Sequence, residues 1–229
     1  MNNKTAIVIH SGGMDSSLCL ALAQREFGSE KVGSLSFAYA QRHKSELQQA
    51  AHICRCWNIE HATIDLNVLA ELTSNALTSH AIPIAQETGQ RPNTLVIGRN
   101  GLMAQLGAIY AYERGACCMY MGVMESEGGN AGYRDCSSNY MALKQQLLRL
   151  DLGMPDFELR TPLIALDKYA AMELAHSLGL LTFLLQETIS CYEGIPRQGC
   201  RRCPACHLRN EGLRRFAHCH PTITLPYDL

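Results

Sequence analysis

A seven-residue stretch, Ser11-Gly12-Gly13-Met14-Asp15-Ser16-Ser17, most constrains what this chain can fold into. It follows a run of strand formers, Thr5-Ala6-Ile7-Val8-Ile9, and precedes a helical pattern from Leu18 to Phe27 that closes at Gly28. A buried strand, a Gly-rich turn and a helix N-terminus make an anion site. The turn's backbone N–H groups can converge on one oxyanion, and the helix dipole favours negative charge there. Gly12 and Gly13 permit a tight turn and a close approach of backbone to phosphate. Ser11, Ser16 and Ser17 add hydroxyl donors.

The stretch is not a Walker A loop, because the chain contains no Gly-Lys pair to reach the β/γ-phosphates. It resembles instead the Ser-Gly-Gly-x-Asp-Ser pyrophosphate loop of the N-type ATP pyrophosphatases. That resemblance implies cleavage of ATP between the α- and β-phosphates, adenylylation of a carboxyl or carbonyl oxygen, and release of pyrophosphate.

The rest of the chain repeats the strand-then-helix alternation. Residues 32–39 read as a second strand, 44–56 as a helix and 59–66 as a third strand. Residues 67–91 are irregular and polar, with a short helix expected near their start. A helix is expected over 101–114, with an apolar face of Leu102, Leu106, Ile109 and Tyr110. The uninterrupted apolar run 116–123 suits a strand buried on both faces. A Gly-rich loop over 126–135, a helix over 137–150, a short strand over 157–161 and a helix over 167–178 complete the pattern. Such alternation predicts an α/β fold: a Rossmann-like parallel sheet with helices on both faces. Ligands in such sheets sit at the carboxyl ends of strands. The loops 11–17, 38–43 and 124–136 all emerge there, and 92–100 can reach the same edge.

With 229 residues, 47% hydrophobic and 18% charged, the chain suits a soluble globular protein. Its formal net charge of −1 gives no general reason to bind nucleic acid or membrane. No signal-peptide pattern and no apolar run of about 18 residues is present, so a cytoplasmic location is expected.

Eleven cysteines are many for such a chain. Seven are scattered, and most of those are expected to be buried small hydrophobes. The other four, Cys191, Cys200, Cys203 and Cys206, follow C-x8-C-x2-C-x2-C, the usual solution for a tetrahedral structural zinc. Gly194, Pro196 and Gly199 let the connecting segment turn back, and a helix over about 204–216 would dock the cluster. Unliganded thiols and an iron–sulfur cluster are the alternatives. The fourth ferredoxin-type cysteine is missing, because Asn210 stands at that position. Arginines 197, 201, 202, 209, 214 and 215 make this end locally basic. That leaves a nucleic-acid-binding zinc module, an anionic small ligand or a solvated face as readings. The division expected is a nucleotide unit over 1–185 and a zinc-binding region over 186–229 packed on it.

Taken together these residues resemble the 7-cyano-7-deazaguanine synthase family of queuosine biosynthesis. The matching segments are the 11–17 loop, Tyr39-Ala40-Gln41-Arg42-His43, Pro92-Asn93-Thr94, Gly98-Arg99-Asn100, Gly132-Tyr133, Asp135-Cys136, Thr161-Pro162-Leu163, Asp167-Lys168, and Cys191 through Cys206. They run from residue 6 to about 216. The resemblance implies that 7-carboxy-7-deazaguanine is activated by ATP as an acyl adenylate. Ammonia then gives an amide, and a second ATP dehydrates the amide to the nitrile.

It implies ATP, Mg2+ and Zn2+ as cofactors. The nucleotide would lie along His10, Ser11, Gly12, Gly13, Met14, Asp15, Ser16, Ser17, Leu18, Cys19 and Leu20. Asp15, Arg99 and Lys168 would carry the chemistry. Arg42, His43, Asn100, Glu125, Tyr133 and Asp135 would meet the substrate. The family is commonly dimeric, so a homodimer is expected.

The chain departs from the family's pattern in one loop. Where the family usually has Gly-Tyr-Pro-Asp-Cys-Arg, this chain has Gly132-Tyr133-Arg134-Asp135-Cys136-Ser137. Residues 126–131 replace a Thr-Asp-Phe-Ser-like run, and Ala38 stands where an Asp or Asn is usual. Two acceptors fit an acyl adenylate: ammonia, giving a nitrile, or another amine, such as a protein terminus in an antiviral defence system. A non-enzymatic zinc and nucleotide module is the third reading.

Overall fold

The computed structural model describes residues 3–39, 45–73, 75, 76, 82, 84, 93–126 and 132–227. Five parallel strands form one sheet: β1 (Ala6–Ile9), β2 (Val32–Ala38), β3 (Glu60–Asp65), β4 (Cys118–Met121) and β5 (Glu158–Arg160). Their spatial order is β3-β2-β1-β4-β5. The chain therefore winds outward from β1 to β3, returns, and winds outward again on the other side. The reversal lies beside β1, whose Ile9 is in register with Leu35 of β2 and Met121 of β4.

The period of two in each strand builds two cores. Ala6, Val8, Val32, Cys118 and Tyr120 face one. Ile7, Leu35, Phe37, Met119 and Met121 face the other. The first core is covered by α1 (Met14–Phe27), α2 (Ser45–Cys56), α6 (Lys168–Ser177), α7 (Leu181–Glu187) and α8 (Pro204–Cys219). The second is covered by α3 (Val68–Leu72), α4 (Arg99–Tyr112) and α5 (Ser138–Leu152). Leu213 and Phe216 of α8 lie in the first core, so the C-terminal region shares that core. No helix among the described residues is long and apolar enough to cross a membrane.

Three local expectations need correction. The buried face of α4 is Met103, Ala104, Gly107, Ala108 and Ala111, while Leu102 and Ile109 are exposed. The reason is close packing. A Cβ at Gly107 would lie 2.5 Å from Ile9 Cδ1 and 2.6 Å from Met119 Sδ, so only small residues fit against the sheet. Of the scattered cysteines, Cys56, Cys117 and Cys219 are exposed rather than buried. Helix α7 was not anticipated. Its apolar residues Leu181, Leu184 and Leu185 follow Gly179 too closely to read as a separate element.

Candidate nucleotide pocket and cysteine centre

The turn after β1 is shaped by glycine. Gly12 has φ +83°, and a Cβ there would lie 2.3 Å from the Glu46 carbonyl oxygen. The hydroxyls then fold the loop on itself. Ser11 Oγ accepts the Gly13 N–H at 3.3 Å, and Ser16 Oγ accepts the Ser11 N–H at 3.1 Å. Ser16 and Ser17 both donate to the Gly13 carbonyl, at 3.1 and 2.8 Å. The far end of the chain braces the loop from outside. Met14 N–H donates to Ser190 Oγ at 3.2 Å, and Ile189 N–H to the Gly12 carbonyl at 3.0 Å.

His10 sits behind the loop, 1% exposed, with Nε2 3.0 Å from Ser17 Oγ. Burial pushes its pKa down to about 3, helped by nearby His61. The ring is therefore neutral. Ser17 gives its proton to Gly13, so His10 Nε2 carries a proton and Nδ1 a lone pair. Met14, Leu18, Cys19 and Leu20 are buried in the first core, so only their backbone can serve a ligand.

Asp15 and Lys168 meet as a part-buried ion pair at 2.6 Å through Asp15 Oδ2. Lys168 Nζ also lies 3.3 Å from Met124 Sδ. Asp15 Oδ1 is buried without a hydrogen-bond partner among the described residues. A carboxyl oxygen of this kind, beside a Gly-rich turn, fits a divalent cation.

A pocket of about 180 Å³ opens at the carboxyl edge of the sheet. Ile9, His10 and Ser11 follow β1 into it, Phe37 and Tyr39 come from β2, and Met121, Gly122 and Val123 from β4. Ser16, Glu46 and Leu47, with Arg99, Asn100 and Met103, complete the lining. Its floor is shared with the loop, since a Cβ at Gly122 would lie 2.8 Å from both Asp15 C and Ser16 N. Arg99 donates to Tyr39 OH at 3.3 Å. Burial pushes the Glu46 carboxyl up to about 7, with the Arg99 guanidinium opposing the shift.

Of the residues expected at the substrate, Asn100 lines the pocket, together with Arg99, expected to carry the chemistry, and with His10, Ser11 and Ser16 of the expected nucleotide set. Asp135 is buried, and its Oδ2 accepts the Asn100 N–H at 2.9 Å in the first turn of α4. A carboxylate there satisfies a helix N-terminus. Tyr133 OH is 2.5 Å from Thr94 Oγ1, and Glu125 Oε2 accepts from Ser138 Oγ at 2.6 Å. Arg42 and His43 lie outside the described residues.

Sequence reasoning missed Glu46 and Ser190. Glu46 carried a usable signal, being in the first turn of the helix that follows β2 at the carboxyl edge. Ser190 carried only its adjacency to Cys191.

The four clustered cysteines converge, with all four Sγ atoms within 4.8 Å of one another. Cys200 and Cys206 Sγ are 3.9 Å apart. Tetrahedral zinc with Zn–S of about 2.3 Å requires S···S of about 3.8 Å, so the thiolates fit that ion. Backbone N–H groups of Glu193 and Cys200 point at Cys191 Sγ at 3.4 and 3.3 Å. Such donors orient and stabilise metal-bound sulfur. Gly199, at φ +67°, leaves no room for a side chain, since a Cβ would lie 2.4 Å from Cys206 Sγ. Arg209, one of the locally basic residues, is 4% exposed and donates to the Gln198 carbonyl at 2.5 Å. It holds the cysteine loop rather than a ligand. From the same helix, Gly212 abuts Lys168, where a Cβ would lie 2.7 Å from Lys168 Cβ.

Comparison with known proteins places this architecture in a family. Residues 5–217 match the family model described as Queuosine biosynthesis protein QueC. The chain is 39% identical over 219 residues to the 7-cyano-7-deazaguanine synthase of Clostridium botulinum (strain Loch Maree / Type A3), covering 94% of this chain and 97% of that protein. It is equally identical to the Staphylococcus haemolyticus 7-cyano-7-deazaguanine synthase, over 94% of this chain and 95% of that one. Among solved structures, the NH3-dependent NAD synthetase from Campylobacter jejuni aligns with a TM-score of 0.49 at 16% identity. That alignment covers 100% of this chain and 91% of that chain. With the family model matching nearly its whole length, this chain belongs to the QueC family of queuosine biosynthesis proteins.

Proposed function

We propose that this chain is a 7-cyano-7-deazaguanine synthase, converting 7-carboxy-7-deazaguanine and ammonia to the nitrile at the expense of two ATP. The observation that carries the reading is the pocket at the carboxyl edge, which is lined by Ser11 and Ser16 of the Ser-Gly-Gly loop and by Gly122, packed against that loop's backbone. Substrate and α-phosphorus would therefore meet at one place. The carboxylate attacks that phosphorus, pyrophosphate leaves, and ammonia displaces AMP from the acyl adenylate to give the amide. Adenylylation of the amide oxygen by a second ATP and loss of AMP then leave the nitrile.

In this reading the loop from His10 to Ser17, extended by the backbone of Leu18, Cys19 and Leu20, holds the departing pyrophosphate. Asp15 Oδ1 would hold magnesium, which when bound neutralises phosphate charge. Lys168 and Arg99 place positive charge where negative charge develops. Glu46, titrating near neutrality, is the pocket's acceptor for an ammonium proton. Asn100 would offer its side chain to the deazaguanine edge, and Arg42 and His43 would bind the substrate with it. Asp135 fixes Asn100 in the wall through the Asn100 N–H, while Tyr133 and Glu125 bond Thr94 and Ser138 outside the pocket lining. Residues 1–185 form the nucleotide unit. The four cysteines would hold zinc, which supplies cross-linking of the 186–229 region and no reactive position.

Ammonia is favoured as acceptor because Ser137, one of the altered loop residues, has local work. Ser137 Oγ accepts the Tyr140 N–H at 3.2 Å as the N-cap of α5, and Arg134 is exposed. The test is mass spectrometry after incubation with ATP, 7-carboxy-7-deazaguanine and ammonium. The nitrile with AMP and pyrophosphate is the expected result. Adenylate without nitrile, or an amide adduct on an added protein, would overturn the reading.

A further inference from the structure

The parallel register brings three ligand-type side chains together behind the loop. Ser34 pairs with Val8 of β1 on one side and with His61 of β3 on the other. Side chains two apart on a strand share a face, so His10, just beyond β1, projects on the same side as Val8. Helix α2 lies over that face and contributes Cys54. The four side chains converge. His10 Nδ1 and His61 Nδ1 are 3.2 and 3.0 Å from Ser34 Oγ, and Cys54 Sγ is 3.6 Å from His10 Nδ1.

The sulfur–nitrogen separation matches an edge of a coordination tetrahedron. With metal–sulfur of about 2.3 Å and metal–nitrogen of about 2.1 Å, sulfur and nitrogen stand about 3.6 Å apart. One ligand atom from each of His10, Cys54 and His61 lies within 4.8 Å of the others. The surrounding groups are those that metal-bound imidazoles use. His10 gives its Nε2 proton to Ser17 and presents the Nδ1 lone pair to the cluster. Ser34 has one proton to share between two imidazole nitrogens.

We propose that His10, Cys54 and His61 form a second metal site, taking a borderline-soft divalent cation of the zinc class, with Ser34 Oγ at its fourth position. One thiolate and two imidazoles suit such an ion better than magnesium or calcium, which prefer oxygen. The site is separate from the four-cysteine centre and is tied to the nucleotide loop through the His10–Ser17 hydrogen bond. It opens to solvent on the β3 side, where β3 is the sheet's edge strand and His61 is half-buried.

The test is metal stoichiometry of the full chain, equilibrated with Zn2+ and measured by plasma mass spectrometry, with Co2+ absorbance as a second readout. Wild type is expected to take up one equivalent more than His61→Asn, and one more than Cys54→Ser. The His61 variant changes only a half-buried edge position, so it stays informative if the buried Cys54 variant fails to fold. In the Co2+-loaded protein, His61→Asn is expected to lose the bands of one site while keeping those of the four-thiolate site. Equal stoichiometry in wild type and His61→Asn would overturn the proposal. So would loss of the extra equivalent only on Cys206→Ser.

Discussion

Ser190 Oγ accepts the Met14 N–H at 3.2 Å, joining residues 176 apart in sequence at the first turn of α1. The next residue is Cys191, a member of the cysteine centre. The segment that carries the clustered cysteines therefore also sets one of the loop's N–H groups. Ser190→Ala should leave that group without its partner and loosen the loop. One neutral hydrogen bond contributes about 1 kcal/mol, so the KM for ATP should rise about five- to tenfold, with kcat largely retained. Ser190→Thr keeps the hydroxyl and should restore the wild-type KM. Initial rates of pyrophosphate release measure this, and an unchanged KM in the Ala variant would show that the brace is immaterial.

Glu46 gives the protein a pH signature. Burial raises its carboxyl from 4.5 to about 7. Between those values the native state binds more protons than the unfolded chain, so this group's contribution to stability falls as pH rises through that window. Its penalty is fully present above about pH 7 and absent below about pH 4.5. Glu46→Gln removes the penalty. The variant should melt higher than wild type at pH 8, and the difference should shrink toward pH 5. Thermal melts at both pH values check this. A difference of the same size at both would refute it.

Gly199 tests the cysteine centre without touching a ligand. An Ala there must accept φ +67° and place a methyl 2.4 Å from Cys206 Sγ. A left-handed conformation alone costs an L-residue about 1–2 kcal/mol, and the sulfur has to move as well. Gly199→Ala should abolish zinc binding by the four thiolates and lower the melting temperature of zinc-loaded protein, because a structural zinc contributes folding free energy directly. Metal analysis showing wild-type retention at this centre would contradict the fit.

Several elements were legible because their causes are local. The strand–Gly-Gly–helix order, the C-x8-C-x2-C-x2-C spacing and the alternation of strands with helices each follow from neighbouring residues. All three reappear in the structure. The face of α4 was not legible. The sequence has large apolar residues at 102 and 109, but Gly107 and the alanines face the sheet. What decides between them is the closeness of Ile9 and Met119, a tertiary fact. The Ser190 brace and the His10–Ser34–His61 alignment are likewise products of register and of contacts between distant segments. Asp135 illustrates the opposite difficulty. Its type suits a guanine-like edge, yet its oxygen satisfies the first turn of α4.

Ser137 stands where the resemblance to the family implies an arginine. Its hydroxyl accepts the Tyr140 N–H at 3.2 Å and donates to the Arg134 carbonyl at 2.9 Å, closing the turn that leads into α5. An N-cap serine replaced by a residue with no short acceptor costs about 1 kcal/mol. Ser137→Arg should therefore lower stability by about that amount. If its present role is structural, the same change should leave the reaction product a nitrile made from ammonium. Ser137→Thr, which keeps the cap, should match wild type in both respects. Denaturant melts give the stability difference, and mass spectrometry of the products gives the chemistry. A switch from another amide product to the nitrile on Ser137→Arg would mean that the residue selects the acceptor, and the structural account of this position would fail.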